Sequence, residues 1–495
     1  MSHDANEIRR IGHLVVDLIA DHLSSLRYEP VFRPVPSELA ERVISTPVPV
    51  DGATPDEILR EFRDTIEPYP FGNGHPRFWG WVNSPPAVMG VFADALAAAM
   101  NPSCAGGNHA AIYVEREVIH WFREMLGFPA SAMGLLVTGG SMATLTALGV
   151  ARHVKSGADV RAAGLRGAPQ PFRLYQSAEG HSCARKAVEL LGFGSDAIRI
   201  VPAMGDYRMD AGALDRAIAE DVAAGMRPIA VVASAGTVNT GAIDPLDEIA
   251  DVCARHNVWL HVDAAYGGPA ILTDEYRARL APVARADSVA LDPHKWMFVP
   301  VEAGFVLVRD GEAMRAAYSL VPPYIRTRGS SSAVMGLPWF SEYGFQQSRG
   351  FRALKVWMTM KQFGLAGHRA AVEQNVALAR YLADRVRESR DLELVASGLS
   401  VVCFRYAVSE ASEASEVSEV SEVSEASEAS DTLNAVNRQL LERLQLRGEA
   451  FLSSTELGGR FVLRACIVNY HSTRDDIDRM IDAVLRIGAE LSRSE

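Results

Sequence analysis

The sequence predicts an α/β fold, a mostly parallel central sheet followed by a smaller C-terminal α+β unit, and three observations carry that expectation. Between residues 172 and 262 short apolar runs alternate with amphipathic helical stretches, the pattern of βα units whose sheet is covered on both faces. The apolar run in Met133-Gly-Leu-Leu-Val137 leads into a glycine pair and then a helix, the usual entry to such a unit. Past residue 360 the alternation stops, and long helices are separated by single strands.

At 495 residues the chain exceeds one ordinary domain. The expected division is an N-terminal helical arm (1–80), a large α/β domain (81–360) and a small α+β domain (361–495). A formal charge of −12 argues against nucleic-acid binding, and seven of the glutamates come from one segment. No apolar run is long enough to cross a bilayer. The N-terminus lacks the basic-then-apolar order of a signal peptide, and five scattered cysteines without a CxxC pair indicate neither a disulfide framework nor a zinc site. The expectation is a cytoplasmic protein with no metal.

Ile8, Ile11, Val15, Leu18, Ile19, Leu23 and Leu26 fall at helical spacing, which predicts an amphipathic helix over 8–26 that needs a partner surface. Prolines at 30, 34, 36, 47 and 49 then describe an extended arm, ending at the helix start Thr54-Pro-Asp-Glu57. Such an arm wraps either a second subunit or its own chain. His75-Pro-Arg-Phe-Trp-Gly-Trp81 gathers Phe78, Trp79 and Trp81, which serve equally as core or as the lining of a pocket for a flat side chain. Helical spacing from 108 to 128 precedes the strand at 133–137. Gly139, Gly140 and Ser141 then leave backbone N–H groups free at the N-terminus of a helix over 143–153, which is a phosphate cradle.

Strands are predicted at 172–177, 197–201, 229–233, 258–262 and 288–291, with helices between them. In parallel sheets ligands bind beyond the carboxyl ends of the strands. His181, Thr237, Asp263 and Lys295 all follow such ends. The Pro-, Gly- and Ser-rich stretch 319–332 carries one tyrosine, Tyr324, and suits a mobile lid. The small unit is expected to hold helices 368–389, 432–446 and 474–492 and strands 400–406 and 460–468. Ser409–Ser430 repeats Ser-Glu-(Ala/Val), with seven like charges and no aromatic residue, and reads as a disordered insertion.

Lys295 is the residue around which these parts organise. It stands directly after a short apolar strand, between His294 and Trp296. A lysine there must have its charge matched or its pKa lowered, and a desolvated amine is what condensation with an aldehyde cofactor requires. The phosphate loop, His181, Asp263 and Lys295, in that order, are the parts that hold pyridoxal 5'-phosphate. Lys295 forms the imine, and the loop amides with His294 and Asp292 lie near the phosphate. Asp263 keeps the ring nitrogen protonated, so that the ring is an electron sink. His181 stacks on one ring face and the small Ala265 packs on the other.

Thr138-Gly-Gly-Ser-Met-Ala143, Ala178-Glu-Gly-His-Ser182, His261-Val-Asp-Ala-Ala-Tyr266, Asp292-Pro-His-Lys-Trp296 and Phe461-Val-Leu-Arg464 resemble, in sequence and order, the group II pyridoxal-phosphate decarboxylases, the family of aromatic-L-amino-acid decarboxylase. The resemblance runs nearly end to end. It implies the aspartate-aminotransferase-like fold type I, with Lys295 as the Schiff-base lysine, Asp263 as the ring-nitrogen partner, His181 as the stacking histidine and Thr237 as a cofactor-side group. It further implies a homodimer with the active site at the subunit interface, Ser348 and its neighbours reaching the partner's phosphate. Tyr324 matches the loop tyrosine that protonates Cα after CO2 leaves, where related aldehyde-forming enzymes tend to carry phenylalanine. Met142 stands where many members have glutamate, and Asp292 where the animal enzymes have asparagine.

The expected activity is therefore decarboxylation of a bulky apolar L-amino acid, aromatic in preference, to its amine. Phe78, Trp79, Trp81 and Arg464 are the expected substrate-side residues. A branched aliphatic substrate, an aldehyde synthase and an aminotransferase that uses Arg464 as a carboxylate clamp are the alternatives within cofactor chemistry. A non-catalytic acidic scaffold is the alternative outside it.

Overall fold

The computed structural model describes residues 4–72, 74–320, 339–407 and 422–493, with backbone alone from 422 to 430. The chain divides into two compact units, a larger one of residues 84–377 and 396–401 and a smaller one of residues 1–83, 378–395 and 402–495. The N-terminal arm thus shares a unit with the C-terminal region. The reason is a strand pairing: β1 (Phe78–Trp79) lies parallel to a strand at Phe451–Leu457, with Phe78 opposite Phe451 and Trp79 opposite Leu452.

In the larger unit β2 (Met133–Val137), β3 (Phe172–Ser177), β4 (Ile198–Val201), β5 (Arg227–Ser234), β6 (Trp259–Asp263), β7 (Ser288–Leu291) and β8 (Gly304–Val308) form one sheet in the order β2-β8-β7-β6-β5-β3-β4. From β4 to β7 neighbouring strands are parallel, and β8 runs antiparallel to both β7 and β2. β5 to β8 are almost wholly buried, so their apolar residues run on without the alternation that marks a one-sided strand. The helices Gly140–Lys155, Cys183–Leu190, Ala211–Ala223 and Leu246–His256 follow β2, β3, β4 and β5. At the β2 edge the Leu136 N–H donates to Glu115 Oε1 (3.1 Å) and the Leu136 carbonyl accepts from Arg349 Nη2 (2.7 Å). A buried ion pair thereby covers what would be a bare strand edge.

The smaller unit holds β9 (Leu392–Gly398), β10 (Val401–Tyr406), β11 (Phe451–Leu457) and β12 (Arg460–Cys466) in the order β1-β11-β12-β10-β9. Its core joins Phe404, Leu440, Leu463, Ile481 and Val484 from strands and helices. Helix Arg474–Ser492 begins in a capping box between Thr473 and Asp476. Helix Ala5–Ser25 buries none of its residues. The proline-rich stretch after it is not extended throughout: Ser37–Ser45 is helical, with Pro36 just ahead of its first turn and Pro47 just beyond its end, positions where proline costs no helix hydrogen bond. The Ser-Glu repeat departs from expectation at its C-terminal end, since the helix Glu422–Leu446 starts inside it. Extending an anchored helix through Ala and Glu avoids the cost of a new nucleus. Residues 408–421 lie outside the described residues.

Candidate active site

β7 ends at Leu291, and the chain turns at once so that the Lys295 N–H donates to the Asp292 carbonyl (2.9 Å). The turn is anchored from below by Trp296. Its fully buried indole stacks on Tyr266 (5.2 Å between centroids) and donates to Asn375 Oδ1 (2.9 Å). Trp296 is therefore an anchor for the lysine turn. Lys295 Nζ sits 3.0 Å from Asp292 Oδ2. Burial alone would pull the Lys295 pKa down, but Asp292 and then Asp263 outweigh it and the net shift is upward. Of the two options open to a lysine in this setting, the chain uses charge matching.

Asp292 is buried, and its other oxygen, Oδ1, has no hydrogen-bond partner among the described residues. Gly140 packs against it: a Cβ there would come 2.8 Å from Asp292 Oδ2 and 3.2 Å from Ala265 Cβ. Gly139, at φ +127°, precedes the helix, and its Cα lies where a Cβ on Gly304 would fall, so both glycines are needed for β2 and β8 to close together. The first amides of helix Gly140–Lys155, including that of the exposed Ser141, have no partner within the helix. His294 Nδ1 is 2.8 Å from the Ala303 carbonyl, and its Nε2 is 3.9 Å from Asp292 Oδ2.

Asp263 closes β6, and its Oδ1 accepts from the Ala265 N–H (3.0 Å). His181 Nδ1 accepts from the Cys183 N–H (3.1 Å), which leaves the proton of the neutral ring on Nε2. Partial burial draws the His181 pKa below its ordinary value; Asp263 opposes this and Lys295 adds to it. His181, Cys183 and Asp263 bring a ring nitrogen, a sulfur and a carboxylate oxygen within 4.8 Å of one another, a donor set that spacing along the chain does not reveal. Thr237 is buried with its hydroxyl 3.0 Å from that of Thr240 and accepting from the Ala242 N–H (3.0 Å). Ser348 is exposed, next to the buried Arg349. Tyr324 lies outside the described residues.

The substrate-side residues expected from sequence belong to the smaller unit. Phe78 and Trp79 are fully buried there, Phe78 stacked on Phe451 (4.8 Å) and Trp79 donating to Ser472 Oγ (3.0 Å). Both are core residues, a correction to the expectation that they offer pocket surface; β1 is short and buried because it adds an edge to the small sheet. Trp81 is about half exposed, with one face stacked on Phe71 (5.1 Å). Arg464 is buried and donates to the Trp81 carbonyl (2.9 Å) and Ser453 Oγ (3.3 Å), so part of its fork holds backbone.

An amine matched by two carboxylates, a helix N-terminus cleared by glycines and a carboxylate at a neighbouring strand end suit an aldehyde cofactor that bears a phosphate and a basic ring nitrogen. The unpartnered Asp292 Oδ1 and the cradle that a Cβ at Gly140 would fill are the local signs of that fit. Such a fold and site define the pyridoxal-phosphate enzymes. Residues 36–407 match the model of the pyridoxal-dependent decarboxylase conserved domain, and the chain belongs to that family. It is 36% identical over 493 residues to the aromatic-L-amino-acid decarboxylase of Bacillus atrophaeus, covering 99% of this chain and 97% of that one. It is 33% identical over 422 residues to the L-2,4-diaminobutyrate decarboxylase of Rhizobium meliloti (strain 1021), covering 84% of this chain and 79% of that one. A crystal structure of Oryza sativa TDC with PLP and tryptamine superposes with a TM-score of 0.87 at 28% identity, over 99% of each chain. The fold is thus the aspartate-aminotransferase-like fold type I, the cofactor pyridoxal 5'-phosphate and the activity that of an amino-acid carboxy-lyase.

Proposed function

We propose that the protein decarboxylates a bulky apolar L-amino acid, aromatic in preference, and releases the amine. The observation that carries the reading is the Lys295–Asp292 pair at 3.0 Å beside Gly140, on the sheet edge that also holds Asp263. Pyridoxal 5'-phosphate supplies the electron-poor ring that accepts the electrons of the Cα–carboxylate bond. Lys295 would anchor it, and the Gly139–Ser141 amides would hold the phosphate with the help of the helix N-terminus. Asp263 keeps a proton on the ring nitrogen. His181 and Ala265 would pack against the cofactor ring, and Thr237 would bound the site. Tyr324 gives its phenolic proton to Cα once CO2 has left.

The aromatic preference is supported by the name of the Bacillus atrophaeus relative. Trp81 and Arg464 are the substrate-side residues of this reading. A homodimer, with Ser348 reaching the partner's phosphate, is supported by the helix Ala5–Ser25, which exposes Ile8, Val15 and Val16. Five buried cysteines that form no disulfide support a cytoplasmic setting. No helix among the described residues is long and apolar enough to cross a membrane.

The test supplies the enzyme and cofactor with L-Trp, L-Tyr, L-Phe, L-Leu, L-Glu and L-2,4-diaminobutyrate in turn, and measures CO2 and amine together. An aromatic substrate should exceed L-Leu in kcat/KM by about tenfold or more, the scale on which an apolar pocket separates shapes. Keto acid without CO2 would overturn the activity, and a charged or aliphatic substrate in first place would overturn the preference.

A further inference from the structure

Beneath the site runs a line of buried polar side chains that its chemistry does not use. β6 alternates, so Trp259, His261 and Asp263 project from one face, with His261 one pleat behind the carboxylate. His261 is fully buried. Its register partner on β7, Ser288, brings Oγ to 2.9 Å from Nδ1. Thr144, in the first turns of helix Gly140–Lys155, brings Oγ1 to 3.3 Å from Nε2. Cys183 Sγ lies 3.8 Å from the same Thr144 oxygen, and Trp259 Nε1 is 2.8 Å from Ser288 Oγ.

The proton order follows from what each group is able to do. An indole N–H only donates, so Ser288 accepts from Trp259 and keeps its own hydrogen for His261 Nδ1. The proton of the neutral imidazole is then on Nε2, which donates to Thr144. Burial pushes the His261 pKa down to about 4, which agrees with a neutral ring. Trp259 apart, the linked residues lie on four different segments, and each segment carries one group of the site. Ser288 is on the strand that leads to Lys295, and His261 is two residues before Asp263. Thr144 is one turn into the helix that starts at the glycine cradle. Cys183 is two residues after His181, and its sulfur is within 4.8 Å of both the His181 and Asp263 ligand atoms.

We propose that His261, acting through Ser288 and Thr144, is a positioning residue that fixes the spacing of Lys295, Asp263, the Gly139–Ser141 amides and His181, so that the cofactor meets a preset site. The proposal rests on the pyridoxal-phosphate reading of that site. A buried network with every member satisfied selects one arrangement of the elements it joins, and groups behind a ligand shell tune what the shell binds.

The test uses full-length Thr144→Val, which keeps the shape and removes the hydroxyl, and Thr144→Ser, which keeps the hydroxyl. Each is stripped of cofactor and titrated with pyridoxal 5'-phosphate, reading the dissociation constant, the absorption spectrum of the bound cofactor and the melting temperature of the cofactor-free protein. Thr144→Val leaves the His261 Nε2–H without a partner and should raise the dissociation constant about tenfold, with an altered spectrum, and Thr144→Ser should restore both. Ser288→Ala gives the same reading from the other end should Thr144→Val fail to fold. Ile218→Val, in the core of helix Ala211–Ala223, is the control for simple destabilisation. A dissociation constant for Thr144→Val within twofold of wild type would overturn the proposal, as would an equal rise in Ile218→Val at the same loss of melting temperature. Wild-type protein that takes up no pyridoxal 5'-phosphate would instead overturn the underlying reading, and this proposal with it.

Discussion

Asp292-Pro-His-Lys-Trp296 in the larger unit and His75-Pro-Arg-Phe-Trp-Gly-Trp81 in the smaller unit carry the same ingredients, a proline turn with a histidine, a long cation and tryptophan. The structure uses them in opposite ways. In the second stretch the Arg77 Nε donates to the Glu449 carbonyl (2.8 Å), its Nη1 lies 3.5 Å from Asp476, Trp79 donates to Ser472 and Phe78 stacks on Phe451. In the first, the tryptophan alone is committed to the core. The lysine is held by carboxylates, one of which keeps an oxygen unpartnered among the described residues, beside a glycine that leaves room. Composition made the two alike. His75 Nε2 in the core turn is also buried without a hydrogen-bond partner among the described residues, so unspent capacity separates a site from a core turn only where it stands beside matched charge and a glycine that leaves room.

The sharpest way to break this contrast is Lys295→Ala. Loss of the anchoring amine should cut CO2 release on the order of 10⁴-fold, whereas Arg77→Ala should leave turnover at saturating substrate within a few-fold. A comparable loss in both would mean that the two turns are not different in kind. Next in size are the two buried tryptophans, which should behave alike. Trp79→Ala and Trp296→Ala should each cost about 3–5 kcal/mol of stability by chemical denaturation, because each deletes a fully buried ring and the hydrogen bond its indole donates.

A smaller effect tests the charge matching itself. The Lys295 pKa stands above its ordinary value because Asp292 and Asp263 outweigh burial. In cofactor-free protein its labelling by an amine-selective reagent should therefore rise only at high pH. Asp292→Asn removes the larger of the two favourable carboxylate charges and leaves burial opposed chiefly by Asp263, so the midpoint of Lys295 labelling, read by peptide mass, should move to lower pH. An unmoved midpoint would show that Asp292 does not set the lysine's charge.

Much of this was legible in the chain. β3 and β7 begin and end where apolar patterning puts them, as does the last helix, because buried strands between turn residues and long amphipathic helices are strong local signals. The convergence of His181, Asp263 and Lys295 on one sheet edge followed from the parallel topology. β8 was not legible, since Gly304-Phe-Val-Leu-Val308 is apolar throughout and its antiparallel pairing is set by distant strands. Nor was the pairing of β1 with β11, which made core residues of Phe78 and Trp79: a two-residue strand has no period to detect. Asp292 as counter-ion to Lys295, and Cys183 between His181 and Asp263, depend on side-chain directions at turns, which local pattern does not encode.

The smallest expected effect carries the contrast into the core. His368 is fully buried in the larger unit, near-parallel to Phe298 at 6.1 Å and 5.3 Å from Phe363, and neither of its ring nitrogens has a hydrogen-bond partner among the described residues. Burial alone pushes its pKa down to about 4. If unspent polar capacity marks a site only beside matched charge and open space, then His368, enclosed by apolar rings, is simply a cost to the fold. His368→Leu should then raise stability by about 1–2 kcal/mol at pH 7.5, the desolvation cost of an unsatisfied polar group. The sign with pH is fixed by linkage: the folded ring resists protonation to about pH 4, whereas the unfolded one takes up a proton near 6.5, so wild-type stability attributable to this residue falls as the pH drops between those values. The advantage of the leucine variant should therefore widen by about 2 kcal/mol between pH 7.5 and pH 5 in paired denaturant titrations. A gap that stays constant or closes would give His368 a partner in solution, and with it a role that the apolar enclosure does not suggest.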